Sequence, residues 1–231
     1  MVSAVLLVHK ATPQTIVQFH DELSNKLPTL KGKWSFNFKI FRNNIYSIPQ
    51  ELAESQATSP ENNYLYTWAP SYLNDSCVTL INKRCSAVFS HVVQEELSTP
   101  YEFAIPNNHL HGGATSGLND SFDYMLNQRM QSTWVQRQSI KGSGGEIYEL
   151  ENGNLTIRTA NVTLHGNFRG LLIQIEVEHG KLDTSDPAKI FSDLMAKYDI
   201  PVGNLCYKVM DPLRLDRYGD LALQYSEILN F

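Results

Sequence analysis
The sequence predicts a single α+β domain over residues 1–231, mainly an antiparallel β-barrel with flanking helices. Three observations carry this expectation. Short runs alternate apolar with polar residues, the period of a strand with one buried face. Turn-forming residues separate those runs at hairpin spacing. Helical periodicity is concentrated toward the two ends of the chain, with one short segment between the strands. Closure into a barrel is preferred to an open sheet because it removes exposed edges. No internal repeat or low-complexity tract divides the chain.

Taken in order, Ser3 to His9 reads as a buried strand. Thr12-Pro13 opens a helix, since threonine accepts from orphan N–H groups and proline suits the first helical position. Ile16, Phe19, His20, Leu23 and Leu27 then recur on one face until Pro28 stops the run. His20 on that stripe is read as a satisfied histidine at the core edge. Trp34, Phe36, Phe38 and Ile40 alternate with polar residues, which predicts a half-buried strand. Gln50 to Asn63 is polar and proline-marked, a surface loop or short helix. Tyr64 to Trp68, Cys77 to Ile81 and Ser86 to Val93 are strands, the last two joined by the turn Asn82-Lys83-Arg84. Leu97 to Gly117 reads as a long loop, and a short helix over Ser121 to Met130 turns Phe122, Met125, Leu126 and Met130 inward.

The second half carries the clearest strand signal. Leu155 to Leu164 and Leu171 to Glu178 flank a hairpin connection, His165 to Gly170. In the latter strand Leu171, Ile173, Ile175 and Val177 share one side, and Leu172, Gln174, Glu176 and Glu178 the other. Asp186-Pro187 caps a helix burying Ile190, Phe191, Leu194, Met195 and Tyr198. A terminal helix buries Leu221, Ala222, Tyr225, Ile228 and Leu229. Leu223 lies off that stripe, which makes it the candidate for contact with a second face or a partner.

Composition limits the function classes. Hydrophobic residues make up 42% and charged residues 19%, enough apolar material for a core and too much for long disordered tails. A net charge of -5, with no basic cluster longer than Lys83-Arg84, argues against a sequence-specific nucleic-acid surface. Three cysteines, Cys77, Cys85 and Cys206, fit neither a disulfide framework nor a zinc site and imply a reducing compartment. The sequons at Asn74, Asn119, Asn154 and Asn161 are then chance matches. No apolar run reaches the ~18 residues of a membrane span, and Val5 to Val8 is too short for a signal segment. A soluble intracellular protein is expected, without a membrane contact.

Four motifs bear on chemistry. The first is KGSGGE, Lys141 to Glu146. A Walker loop places its lysine after the last glycine, and a dinucleotide fingerprint needs glycine where Ile147 stands. The stretch is therefore expected to be a hairpin connection between two strands, indifferent to Lys141→Ala. His109 and His111 have the spacing of strand-borne metal ligands but no third ligand. Tyr64, Tyr66, Trp68 and Tyr72 could stack bases but lack interleaved cations, so they read as core and rim of a sheet. Finally, Glu149-Leu-Glu151 and Glu176-Val-Glu178 each place two carboxylates on one strand face. Four could hold a divalent metal, as in tunnel-type triphosphate hydrolases. Such enzymes also need inward cations; Arg158 alone lies between Leu155 and Leu164, and Lys181 misses the E-x-E-x-K spacing by one place. A solvated hairpin face is favoured, on which removing Glu176 and Glu178 together should change little. No nucleophile elbow appears, and no catalytic, cofactor or metal residue is assigned.

Several pieces, in this order, resemble the Mediator complex subunit 20 family: AVLLVHKATPQTIVQFHDELSN, WSFNFKIFR, CVTLINKRCSAVFS, WVQRQSIKGSGGE, GNFRGLLIQIEVE and LALQYSEIL. The similarity spans most of the chain and has a fungal character. It implies a non-enzymatic nuclear subunit of the Mediator head module, with a β-barrel and flanking helices. It further implies a heterodimer with Mediator subunit 18, a tether through the helical tail of Mediator subunit 8, and relay of regulatory signals to RNA polymerase II. The family brings no catalytic residues and no cofactor. The alternative is a metal-dependent triphosphate hydrolase using Glu149, Glu151, Glu176 and Glu178. The filling of the barrel, apolar or wet, discriminates the two.

Overall fold
The computed structural model describes residues 1–44, 63–73, 76–90, 122–178 and 186–231. Expectations for residues 50–62, for Leu97 to Gly117 with His109 and His111, and for Ser121, Asn74, Asn119 and Lys181 lie outside the described residues.

Strand β1 is Val2–Val8, followed by helix α1, Pro13–Asn25. Thr12 caps α1 as its sequence predicts, its side chain accepting from the Thr15 N–H at 3.2 Å. Phe19 and Leu23 are buried, but Leu27 lies past the helix end at φ 52 and is 90% exposed, so it is not part of the stripe. β2 (Thr29–Asn43), β3 (Tyr64–Pro70), β4 (Ser76–Ile81) and β5 (Cys85–Ser90) follow. The β4–β5 turn holds Asn82 and Lys83 at positive φ, the geometry that matches strand twist in a tight hairpin.

The predicted helix before β6 is shorter and wider than expected. A single α-turn, Phe122–Tyr124, runs into a π-turn, Met125–Arg129, that buries Leu126 and leaves Met125 exposed. The π-turn rotates the inward face away from its α-helical spacing. β6 is Trp134–Leu150, β7 Leu155–Leu164 and β8 Asn167–Val177. Only His165 and Gly166, both at positive φ, separate β7 from β8, a tighter hairpin than the sequence suggested. α2 (Pro187–Lys197), β9 (Asn204–Cys206) and α3 (Arg217–Ile228) complete the chain.

KGSGGE does not turn the chain. It lies inside β6, where Phe36 pairs with Gly142 and Trp34 with Gly145, and a bulge falls between Ser143 and Glu146. A Cβ on Gly142 would strike the Phe36 ring, and one on Gly145 the Trp34 ring and the Thr159 carbonyl. Gly144 supplies the positive φ of the bulge. These glycines make room for aromatic rings; the chain reverses later, at Glu151–Gly153.

The strands form one antiparallel sheet in the order β5-β4-β3-β2-β6-β7-β8-β1-β9. One face packs on α1 and α2 through Leu171, Ile173, Ile175, Phe19 and Phe191. The opposite face surrounds α3 with Trp34, Phe36, Phe38, Trp68, Leu80 and Leu172. α3 touches β1 and β9 at one end of the sheet and β3, β4 and β5 at the other, so the sheet curls around it. The curl is not closed into a barrel, because β5 and β9 are not paired. A helix with its side chains is roughly 10 Å across, and α3 packs against both ends of the sheet. Glu227 on α3 bridges them instead, 3.0 Å from Lys83 after β4 and 3.3 Å from Lys208 after β9.

Candidate functional site
Period-two alternation places Arg158 of β7 and Gln174 and Glu176 of β8 on the face that meets α3. The helix brings Arg217 and Tyr225 down onto them, while Gln224 donates to Ser3 and to the Lys208 carbonyl. Glu176 is 2% exposed, and the Arg158 guanidinium donates to its Oε1. Arg217 donates to the other oxygen, Oε2, from Nε at 2.8 Å and from Nη2 at 2.6 Å. Gln174 Nε2 donates to Glu176 Oε1 at 2.7 Å, while its Oε1 accepts from the Tyr225 hydroxyl at 2.8 Å. The Arg158 guanidinium also lies 4.4 Å from the centre of the Tyr72 ring.

Burial sets the behaviour of the phenols. It pushes Tyr225 far above its ordinary range, and it raises Tyr72 with further help from the Glu176 charge. Both phenols stay protonated and act as hydrogen-bond partners. On Arg217, burial works against the charge, but Glu176 outweighs it and holds the guanidinium protonated. Two guanidiniums facing one carboxylate leave the cluster with net positive charge, which repels a divalent cation.

The four carboxylates of the two E-x-E pairs do not converge. Glu176 is enclosed as described, and Glu178 is exposed. Glu149 pairs with Lys31 at 2.9 Å. Glu151 accepts from Lys197 and from the Tyr198 hydroxyl; the lysine contact holds its carboxyl below the usual range. Among the described residues no group of three His, Cys, Asp or Glu side chains gathers for a metal. The solvated face expected for Glu176 is thus corrected. β8 is an interior strand covered on both sides, and α3 covers the polar one. Sequence reading placed Gln174 on the face of Glu176 and Tyr225 on the buried stripe of the terminal helix, but missed Arg217 and the contacts that join these residues.

Leu223, the candidate for an outside partner, is 7% exposed and sits in the core around α3. Gly219 through Ser226 are all buried, so the second face of the helix meets this chain's own sheet. Tyr66, Trp68 and Tyr72 line the same core, with the Trp68 ring 4.8 Å from that of Tyr225 and tilted 35° to it. His20 hydrogen-bonds the Tyr148 hydroxyl at 2.6 Å, a core-edge role. Burial pushes the Cys77 thiol up to about 12 and raises Cys206, which leaves both as thiols rather than nucleophiles.

Fold and site together define an α+β protein whose curled antiparallel sheet is filled by its own helix and whose one buried carboxylate is held by two guanidiniums. Residues 1–230 match the family model described as Med20, TATA-binding related factor (TRF) of subunit 20 of Mediator complex. The chain is 62% identical to Mediator of RNA polymerase II transcription subunit 20 of Debaryomyces hansenii and 60% identical to that of Scheffersomyces stipitis, each pair covered over 100% of both chains. It is 28% identical to the Saccharomyces cerevisiae subunit 20, over 79% of this chain and 77% of that one. The chain belongs to the Mediator subunit 20 family.

Proposed function
We propose that this chain is a non-enzymatic interaction subunit of Mediator, acting in the nucleus in RNA polymerase II transcription. In this reading it resides in the head module and pairs with Mediator subunit 18. The helical tail of Mediator subunit 8 tethers the pair, which relays regulatory signals to the polymerase and its initiation factors. The observation that carries the reading is the full-length similarity to curated subunit 20 relatives. Geometry supports it from the other side. The interior of the sheet is packed around α3; of the acidic residues that a triphosphate hydrolase would need, Glu149, Glu151 and Glu176 have separate partners and Glu178 is exposed.

Affinity purification of the tagged chain from fungal nuclei, followed by mass spectrometry, tests the proposal. Mediator subunits should be the enriched proteins, with subunit 18 in amounts comparable to the bait. Absence of every Mediator subunit, with manganese-dependent triphosphate hydrolysis that is lost in Glu176→Gln, would establish the hydrolase reading instead.

A further inference from the structure
Bulges in two strands each free an arginine at the same end of the sheet. In the β2–β6 ladder Ile40 pairs with Gln138 and Phe41 with Gln136, which leaves Arg137 without a partner in β2. In the β7–β8 ladder Val162 pairs with Gly170 and Thr163 with Phe168, which leaves Arg169 as the extra residue. Bulges of this kind re-aim a side chain. Both arginines end beside Phe231. The Arg169 guanidinium lies 5.7 Å from the centre of that ring, and Arg137 lines one cavity with it. His9, at the end of β1, meets the same ring edge-on at 6.2 Å.

This end of the molecule is basic and aromatic. Strand register and the Phe231 contacts gather residues 8–10, 136–140, 163–169 and 228–231, and none of these is Asp or Glu. Lys10, Arg137 and Arg169 are exposed and form no ion pair among the described residues. Glu227, the residue before Ile228, is held by Lys83 and Lys208. The main-chain oxygen of Phe231 accepts from Gln138 Nε2 at 3.1 Å, and a full carboxylate charge there offsets only one of the three cations. Phe168, next to Arg169, is 46% exposed, and Phe231 is 37% exposed. Positive charge and open rings thus concentrate in a chain of net charge -5.

We propose that this end binds a single-stranded polynucleotide. A base stacks on the exposed Phe168 ring, the Arg169–Phe231 pair offers a second stacking surface, and the three cations take the phosphates. Rings interleaved with cations are what such binding requires. A single strand brings free π-faces and anions together. An acidic peptide segment brings carboxylates without the faces, and in a duplex the bases already stack on one another. The sequence hides this patch because Lys10, Arg137 and Arg169 lie far apart along it. Stacking and phosphate contacts read no base identity, so the patch is not a sequence-specific surface. The inference is independent of the assembly reading above.

The test titrates the whole chain into fluorescein-labelled decathymidylate, followed by anisotropy, with hexaglutamate and a ten-base-pair duplex as competitors. Decathymidylate should bind saturably at about 50 mM salt, and neither competitor should match it. With three phosphates neutralised, log K should fall against log salt with a slope of about −2. These arms use the unaltered chain and need no variant to fold. Arg137→Ala and Arg169→Ala should each make the slope shallower by about 0.7. Phe168→Ala should weaken binding about fivefold or more, while Lys189→Ala, at an exposed position on α2, should leave it unchanged. No saturable binding, a slope near zero, a competitor as tight as decathymidylate, or equal affinities of Phe168→Ala and Lys189→Ala would each overturn the proposal.

Discussion
Glu176 carries more of the stability than its sequence suggests. With Arg158 and Arg217 on its two oxygens, removing the carboxylate strands the Arg158 guanidinium in the interior. Glu176→Ala should therefore cost about 3–5 kcal/mol in urea unfolding, whereas Glu178→Ala at an exposed position should cost no more than about 0.5 kcal/mol. Equal small effects would mean that Glu176 is solvated after all. Tyr225→Phe, which loses only the hydroxyl on Gln174, should cost about 1 kcal/mol. Glu227 adds a pH dependence. Burial works against its charge, but Lys83 and Lys208 prevail and hold the folded-state pKa below the usual range. Its contribution is present above the unfolded value of about 4.3 and is lost as pH falls through the lower folded value. Glu227→Gln should thus flatten the fall in melting temperature below about pH 4.3; an unchanged profile would assign that fall to other carboxylates. Period-two spacing revealed that Gln174 and Glu176 share a face, but not that the face is buried. Their partners lie far away in sequence, Arg217 being 41 residues beyond Glu176.

At the scale of elements, caps and alternation were legible. Thr12-Pro13, Asp186-Pro187 and the aromatic alternation of β2 all have the local causes that their residues announce. The glycine run of β6 was misread, because glycine marks both a turn and a place where something large must approach closely. Only the register of β6 against Trp34 and Phe36 decides between them. Gly145→Val should destabilise the fold by about 1–3 kcal/mol or more through overpacking, while Lys141→Ala, at an exposed position, should stay within about 0.5 kcal/mol. Thermal melts of the two variants check the contrast, and a tolerant Gly145→Val would restore the flexible-connection reading. Helix α3 was found from its periodicity but not its surroundings. A stripe of apolar residues predicts one buried face, and only the curl of the sheet explains why Leu223 and Gln224 are buried as well.

The whole molecule is a sheet held in a curl by the helix inside it. Antiparallel strands and end helices were foreseeable, since both follow from local patterning. Closure was not, because it depends on whether α3 fits between β5 and β9. Among the described residues each of those strands pairs on one side only, β5 with β4 and β9 with β1, which suits a chain that completes itself against another. A permanent partner of this kind typically buries roughly 2,000 Å² or more and stabilises the folded form by mass action. Co-expression with Mediator subunit 18, followed by sedimentation and thermal melting of the chain with and without it, is the most direct test. The account predicts an equimolar heterodimer that melts at a clearly higher temperature than the chain alone. A monodisperse monomer whose melting point is unmoved by equimolar subunit 18 would contradict it.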